Sequence, residues 1–585
     1  MIVPILALLT FGTHLLGPVT VSVNATEGET ITGTRRFKIT VQADNPVTQV
    51  EFYVGDELRN SDTSTPYEFD INALDETEGP MKLNFIAYTT EGETGKKAFG
   101  IKIDNGMSKG PDFHVKRGLD FLTDGKFDEA IQSGKIALKA KAAYVPARVL
   151  LARAYFAKGT LDQAQKFLED VLTEDPKNND ALELMAGINL QTAFRSIAAE
   201  GGDKYEVLER IRTALVSAAE KRRKVLDSRF DAVGAVTESN LMAYCDEAIR
   251  SSRYWAAISA LQQRFLRDPS NSAVSNRLAY SQLRSSKIQD AYTTLTTVKR
   301  KAALDAYGYG LLAVIEAAIG NNAASDDAIR EAILSDSEDM GMRTAQVFVA
   351  LNRGKLGAMG DLVSGLQRDA GQRPEVNYYL ATLLYMQQNY SDAEKRFQKA
   401  VLADPCLYDM YIQRANEALR SVVSENLSGE AAKYRFAVAK AYFDAALAAK
   451  ADSPEALTGV ALANVLQSKP GECLKYARAA VAANPSYAAG QYTLAMVGSA
   501  VSNDLQTKAE QIRNEDKDGI LDAEQKKQMA DLQKGAKDLK SELRKAYEAA
   551  QKLDKVLNGS QIPNTFDAFQ YYYRFGRLPL LTMPK

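Results

Sequence analysis

Histidine is almost missing: across 585 residues only His14 and His114 occur. Histidine-based catalytic triads and multi-histidine zinc sites are therefore nearly excluded. Cysteine is as sparse. Cys245, Cys406 and Cys473 are odd in number and far apart, so no disulfide framework or CxxC metal motif can be built from them. Cys245 and Cys473 read as small core residues. A cationic surplus is also lacking. With 72 Lys and Arg against 74 Asp and Glu, the net charge is −2, which argues against nucleic acid as a partner. The densest basic run, Lys221 to Lys224, reads as a solvated helix face. The only glycine-rich candidate, Gly354 to Gly360, lacks the Gly-Lys-Ser/Thr of a phosphate loop. No carboxylate pair sits in a recognisable catalytic motif, and the expectation is that the chain is not an enzyme.

The apolar run Ile2 to Gly17 is interrupted by Pro4, Gly12 and His14. It is too short and broken for a good membrane span. Residues 1–18 fit a signal peptide or an N-terminal anchor better, which predicts export to the periplasm, cell surface or medium. Membrane contact is expected only if that segment is retained.

What is present divides the chain into several parts, as its length requires. Over residues 19–105 apolar and polar residues alternate. Val19, Val21 and Val23 begin the pattern, followed by Phe37, Ile39 and Val41, then Val50, Phe52 and Val54. Tyr67, Phe69 and Ile71, Leu83 to Tyr88, and Phe99 to Ile103 complete it. Six or seven short strands with polar turns predict an all-β sandwich. The strand Val50-Glu51-Phe52-Tyr53-Val54, with Pro66-Tyr67-Glu68-Phe69 after it, resembles the bacterial Ig-like domains of exported proteins. That resemblance implies a spacer or adhesive module. Its turn is Gly55-Asp56 where the family commonly has Asp-Gly.

Residues 106–110 read as a linker. From Pro111 a 34-residue beat in small residues takes over. Gly118, Ala152 and Ala186 keep it; Cys245, Ala279, Ala313, Val347, Ala381 and Ala415 resume it; Ala461 and Ala495 repeat it. Such a period marks an all-α superhelical solenoid of helix pairs, each burying its apolar face against its neighbours. In one unit Leu151, Ala152 and Tyr155 face Ala164, Leu168 and Val171, with Gly159 between the helices and Pro176 after them. This is the tetratricopeptide pattern, and residues 111–503 resemble that family. Insertions are expected near 195–240, with a long amphipathic helix from about Tyr205 to Leu226, and near 420–432.

The family resemblance implies a protein or peptide partner on the concave face of the first helices. Arg153, Phe156, Tyr280, Arg284, Tyr378, Thr382 and Tyr385 are the candidate contacts there, since exposed aromatics and Arg are typical of recognition surfaces. No cofactor is certain. Asn514 to Gln525 resembles an EF-hand loop, with Asn514, Asp516, Asp518, the Ile520 carbonyl, Asp522 and Gln525 as candidate Ca²⁺ ligands around Gly519. Gln525 replaces the bidentate Glu expected at the last place. Residues 504–557 are expected to form a helix, that loop and a capping helix. Residues 558–585 form an aromatic tail expected to dock on the array itself, with a partner as the alternative. Together these features predict an exported, non-enzymatic binding scaffold. The alternative is a structural or adhesive envelope protein acting through the Ig-like module.

Overall fold

The computed structural model describes residues 19–198, 203–467, 470–515, 521–554, 557, 565–576 and 578–584. The leader expected over 1–18, the centre of the calcium-like loop at 516–520 and all of 558–564 lie outside them. No helix among the described residues is long and apolar enough to cross a membrane. The chain divides into two compact units, Met1–Glu174 and Asp175–Lys585.

In the first unit, alternating residues build eight strands: β1 (Thr20–Val23), β2 (Glu29–Ile31), β3 (Thr34–Gln42), β4 (Val47–Val54), β5 (Glu57–Asp62), β6 (Tyr67–Asn72), β7 (Gly79–Thr89) and β8 (Thr94–Ile103). They form a three-stranded sheet, β1-β3-β6, and a five-stranded sheet, β2-β8-β7-β4-β5. Pairing is antiparallel except between β2 and β8. The inward positions supply Phe37, Phe52, Phe69, Phe85 and Phe99, all buried. The Phe52 and Phe85 rings stack at 4.9 Å, so aromatic packing does the work that a disulfide does in other sandwiches. Asn105 ties the exit of the sandwich down by donating to the Ala73 and Glu76 carbonyls. Four helices follow: α1 (Pro111–Thr123), α2 (Phe127–Ala140), α3 (Val145–Lys158) and α4 (Leu161–Glu174). A Cβ on Gly118 would lie 2.4 Å from Leu150 Cδ2, which is why the beat demands a small residue there.

The second unit begins with a long hairpin, α5 (Asn179–Ala198) and α6 (Lys204–Val233). The repeat pairs are α7 (Leu241–Arg250) with α8 (Tyr254–Arg267), α9 (Ser272–Arg284) with α10 (Ile288–Lys299), and α11 (Ala306–Ala318) with α12 (Asn322–Ser335). They continue as α13 (Met340–Asn352) with α14 (Leu356–Ala370), α15 (Pro374–Met386) with α16 (Tyr390–Ala403), and α17 (Tyr408–Ser424) with α18 (Gly429–Ala449). Last come α19 (Pro454–Leu466), α20 (Pro470–Ala483), α21 (Ala488–Glu515), α22 (Ala523–Leu553) and α23 (Thr565–Phe575). The beat residues Cys245, Ala279, Ala313, Val347, Ala381, Ala415, Ala461 and Ala495 are all fully buried. The architecture is thus a strand-rich sandwich followed by helix pairs in a tetratricopeptide-like solenoid.

The turn inside each pair obeys the same period. Ser252, Ser286, Gly320, Gly354 and Gln388, successively 34 apart, all have positive φ. At each, the amide just before the next helix reaches back five residues, as from Lys287 to the Gln282 carbonyl at 2.9 Å and Asn389 to Leu384 at 2.9 Å. This Schellman closure satisfies carbonyls that the first helix leaves unpaired.

The two insertions lengthen helices. The extra residues before Cys245 extend the α5–α6 hairpin, and those near 420–432 lengthen α17 and α18. The lengthened parts meet. Arg212 of α6 donates to Asp444 of α18 at 2.5 Å, Tyr205 donates to Glu430, and the Tyr205 and Tyr434 rings meet edge to face at 5.6 Å. Phe194 of α5 lies edge-on to Phe397 of α16 at 6.3 Å. The series α5 to α18 therefore closes on itself, and its first helices line an inner surface.

Candidate functional site

The inner surface is built from the first helix of each pair, and five of its polar side chains meet one object. That object is the extended segment Leu578–Pro584. Arg284 of α9 donates from Nη1 to the Pro579 carbonyl at 3.1 Å. The Tyr379 hydroxyl of α15 donates to the Leu580 carbonyl at 2.5 Å. Tyr280 of α9 donates to Leu581 O at 3.4 Å, and Tyr307 of α11 to Thr582 O at 2.8 Å. The Thr582 amide donates in turn to Thr344 Oγ1 of α13 at 3.4 Å. Four consecutive carbonyls are taken by four different side chains from three helices. Leu580 and Leu581 are buried in the same core cluster as those helices.

Electrostatics keep these donors in their donating form. Burial pushes the Tyr280, Tyr307 and Tyr379 hydroxyls well above the ordinary tyrosine range, so each stays protonated. Burial works against the Arg284 charge, but the Asp409 carboxylate and the surrounding tyrosines hold the guanidinium above its ordinary range. The pair is bidentate, with Nη1–Oδ1 at 3.0 Å and Nη2–Oδ2 at 2.9 Å. Its side chains are 1% and 10% exposed. Arg284 Nε donates to the Tyr254 hydroxyl at 3.2 Å, and Nη2 donates to that of Tyr408. A planar fork with five donors suits this crowded junction as an ammonium could not.

A cavity of about 550 Å³ runs beside the segment. Leu580, Leu581, Met583 and Pro584 line it together with Asp246, Arg277, Arg373, Glu375 and Asp404. Burial pushes the Glu375 carboxyl up, and its Oε2 has no hydrogen-bond partner among the described residues.

The candidate contacts from the sequence fall in different places. Tyr280 and Arg284 touch the segment. Tyr378 is buried with its ring edge-on to Tyr379 at 5.1 Å. Thr382 donates to the Tyr378 carbonyl at 2.9 Å. Tyr385 is buried beneath the Arg414 guanidinium at 5.5 Å. Arg153 and Phe156 are half-buried on α3 of the first unit, whereas this surface is built within the second. Tyr307, Thr344, Tyr379 and Asp409 were not singled out from sequence. The signal that could have found them is the crowding of tyrosines at first-helix positions.

Of the calcium-like ligands, Asn514 lies near the end of α21 and is exposed, while Asp516, Asp518 and Ile520 lie outside the described residues. Asp522 and Gln525 are spent on each other. Asp522 caps α22 by accepting from the Gln525 amide at 2.7 Å, and Gln525 Oε1 accepts from the Asp522 amide at 3.0 Å. This is a capping box.

Two family models match. Residues 121–188 match the tetratricopeptide repeat, and residues 18–84 match a bacterial Ig domain. The chain is similar to each family over those residues. No curated protein matches it. Among solved structures it is similar to yeast Tom70 at 15% identity, covering 77% of this chain and 99% of that one, with a TM-score of 0.32. The APC/C hetero-tetramer Cut9–Hcn1 follows at 12%, covering 79% and 96%, with a TM-score of 0.37. Fibronectin(III)-like modules of Clostridium thermocellum CbhA match at 22% over 15% of this chain, with a TM-score of 0.13. The chain spans 46% of the length of those modules.

Proposed function

We propose that this chain is an exported, non-catalytic scaffold that holds a partner protein as an extended segment along the inner surface of α9 to α17. The observation that carries this reading is the row of side-chain donors on four consecutive carbonyls of Leu578–Pro584. A surface that reads main-chain atoms in an extended peptide is equipped to hold other extended peptides. Export is supported by the bacterial Ig domain match at 18–84 and by the apolar leader. The Ca²⁺ reading of 514–525 belongs to the same proposal, as a weak stiffening site.

The test is a photo-crosslinking residue placed at Tyr280 of the full chain and exposed to a cell-envelope extract. A discrete adduct with another protein is expected. Adducts confined to the chain's own 578–584, both in the full chain and when Leu580→Asp and Leu581→Asp weaken the resident segment, would sink the scaffold. The second reading, adhesion through the sandwich, is favoured by the exposed edge strand β5 with Leu58 outward. It predicts that partner binding disappears when residues 19–105 are deleted and survives changes on the inner surface.

A further inference from the structure

We infer that Leu578–Pro584 is a displaceable stand-in for the partner: the groove takes an uncharged, proline-containing, extended polypeptide segment, and stays closed to it until the resident segment leaves. This rests on the scaffold reading above.

The chemistry of the occupant follows from what the groove offers. It presents donors to the carbonyls of residues 579 to 582 and an acceptor to one amide, that of Thr582. Every one of these contacts is to main chain. A segment that is short of N–H groups therefore loses little here, and proline supplies that shortage while favouring the extended form. The resident segment contains Pro579 and Pro584. Charge is discriminated as well. The guanidinium in the groove is already neutralised by Asp409, so it offers no counter-ion to a charged side chain placed where Leu580 and Leu581 are buried, and that side chain would still lose its hydration.

Displaceability follows from what else the segment holds together. The contacts that close the array, Arg212 to Asp444 and Tyr205 to Glu430 and Tyr434, do not involve it. Helix α23, just before it, has anchors of its own. Tyr572 donates to the Glu455 carbonyl at 2.9 Å, Tyr573 to Glu417 at 2.8 Å and Tyr571 to Asp554 at 2.5 Å. Along one flank the segment borders the 550 Å³ cavity instead of packed protein. It can leave without unpacking α23 or the closure. A tethered segment competes at an effective concentration on the order of millimolar, and a groove that is only fractionally open shows an apparent affinity lowered by that fraction.

The experiment uses a fluorescent peptide with the sequence of residues 576–584, titrated by anisotropy into the full chain. Wild type is compared with Leu580→Asp/Leu581→Asp, which disfavours the resident segment and leaves the groove untouched. The variant is expected to bind at least about tenfold more tightly. Adding Tyr307→Phe and Tyr379→Phe, which remove only hydroxyls, should reverse about tenfold of that gain. Equal binding by wild type and variant overturns the gate while leaving the scaffold reading intact. No binding by a folded variant overturns both. A concentration-dependent dimer of wild type that vanishes in the variant also overturns the inference, because the occupant is then a second copy. Should the variant fail to fold, hydrogen exchange on wild type with a saturating isotope-labelled peptide decides. Residues 578–584 must lose protection while α9 and α15 keep theirs; bound peptide with unchanged protection at 578–584 refutes the proposal.

Discussion

Arg284 and Asp409 lie 125 residues apart in sequence yet form a nearly dry ion pair, with Arg284 1% exposed. Removing one partner leaves a buried charge uncompensated, so Asp409→Ala should cost about 3–5 kcal/mol. Replacing both, as Arg284→Met with Asp409→Leu, should cost less than the single change. Urea denaturation of the three chains checks the order, and a double variant weaker than Asp409→Ala would contradict it. Gly341 makes a second residue-scale case. A Cβ there would lie 2.0 Å from the Tyr307 ring, so Gly341→Ala must push aside the tyrosine that donates to Thr582. A loss of about 1–3 kcal/mol is expected from overpacking, with faster amide exchange over 578–584 than elsewhere in the array. Tyr280 and Arg284 were legible as an aromatic and a cation on a first helix. Tyr379 was not, although its neighbour Tyr378 was. One position changes the helical bearing by about 100°, and only the crossing angle of the packed helices decides which of the two faces inward.

At the scale of elements the 34-residue period was legible because each pair packs on its sequence neighbours, so that one geometry recurs. The turn carries the period even where the residue type does not. Ser252, Ser286 and Gln388 adopt the positive φ that Gly320 and Gly354 adopt at the matching places. An L side chain is disfavoured in that conformation by about 1–2 kcal/mol. Gln388→Gly is therefore expected to stabilise the α15–α16 pair by about 1 kcal/mol, and Gly320→Ala to destabilise α11–α12 by a similar amount. Local hydrogen exchange of those pairs reads both, and a destabilising Gln388→Gly or a stabilising Gly320→Ala would discard the strain argument. The acidic loop before α22 offers a related test. Gln525 sits at the third helical position, where Glu serves the capping box equally well and also supplies a bidentate carboxylate. Gln525→Glu should keep the helix start intact by circular dichroism and tighten Ca²⁺ binding about tenfold by calorimetry. Heat of binding absent from both chains would remove Ca²⁺ from the scaffold reading.

For the second unit as a whole, the length of the first insertion was legible but its purpose was not. Ala186 and Cys245 are 59 apart where the beat asks for 34, and the surplus lengthens the hairpin that reaches α16 and α18. The groups it meets are more than 200 residues away in sequence, as with Tyr205 and Glu430 or Arg212 and Asp444. Periodicity reports neighbours in sequence and is silent about such closure. On the scaffold reading, the closure would keep the inner surface of α9 to α17 turned toward the segment it holds. A chain carrying Tyr205→Ala and Arg212→Asp removes the ring contact and sets two carboxylates against each other at α18. Asp444 is 22% exposed there, so the repulsion is only partly screened. Exchange protection of α6 and α18 is expected to fall selectively, with α11 to α14 unchanged because their packing is local. If the closure holds the groove in its occupied form, residues 578–584 lose protection in the same variant, and the peptide of residues 576–584 gains access without any change in the groove itself. Protection lost at α6 and α18 but kept at 578–584 would mean that the first helices hold the segment without help from the closure.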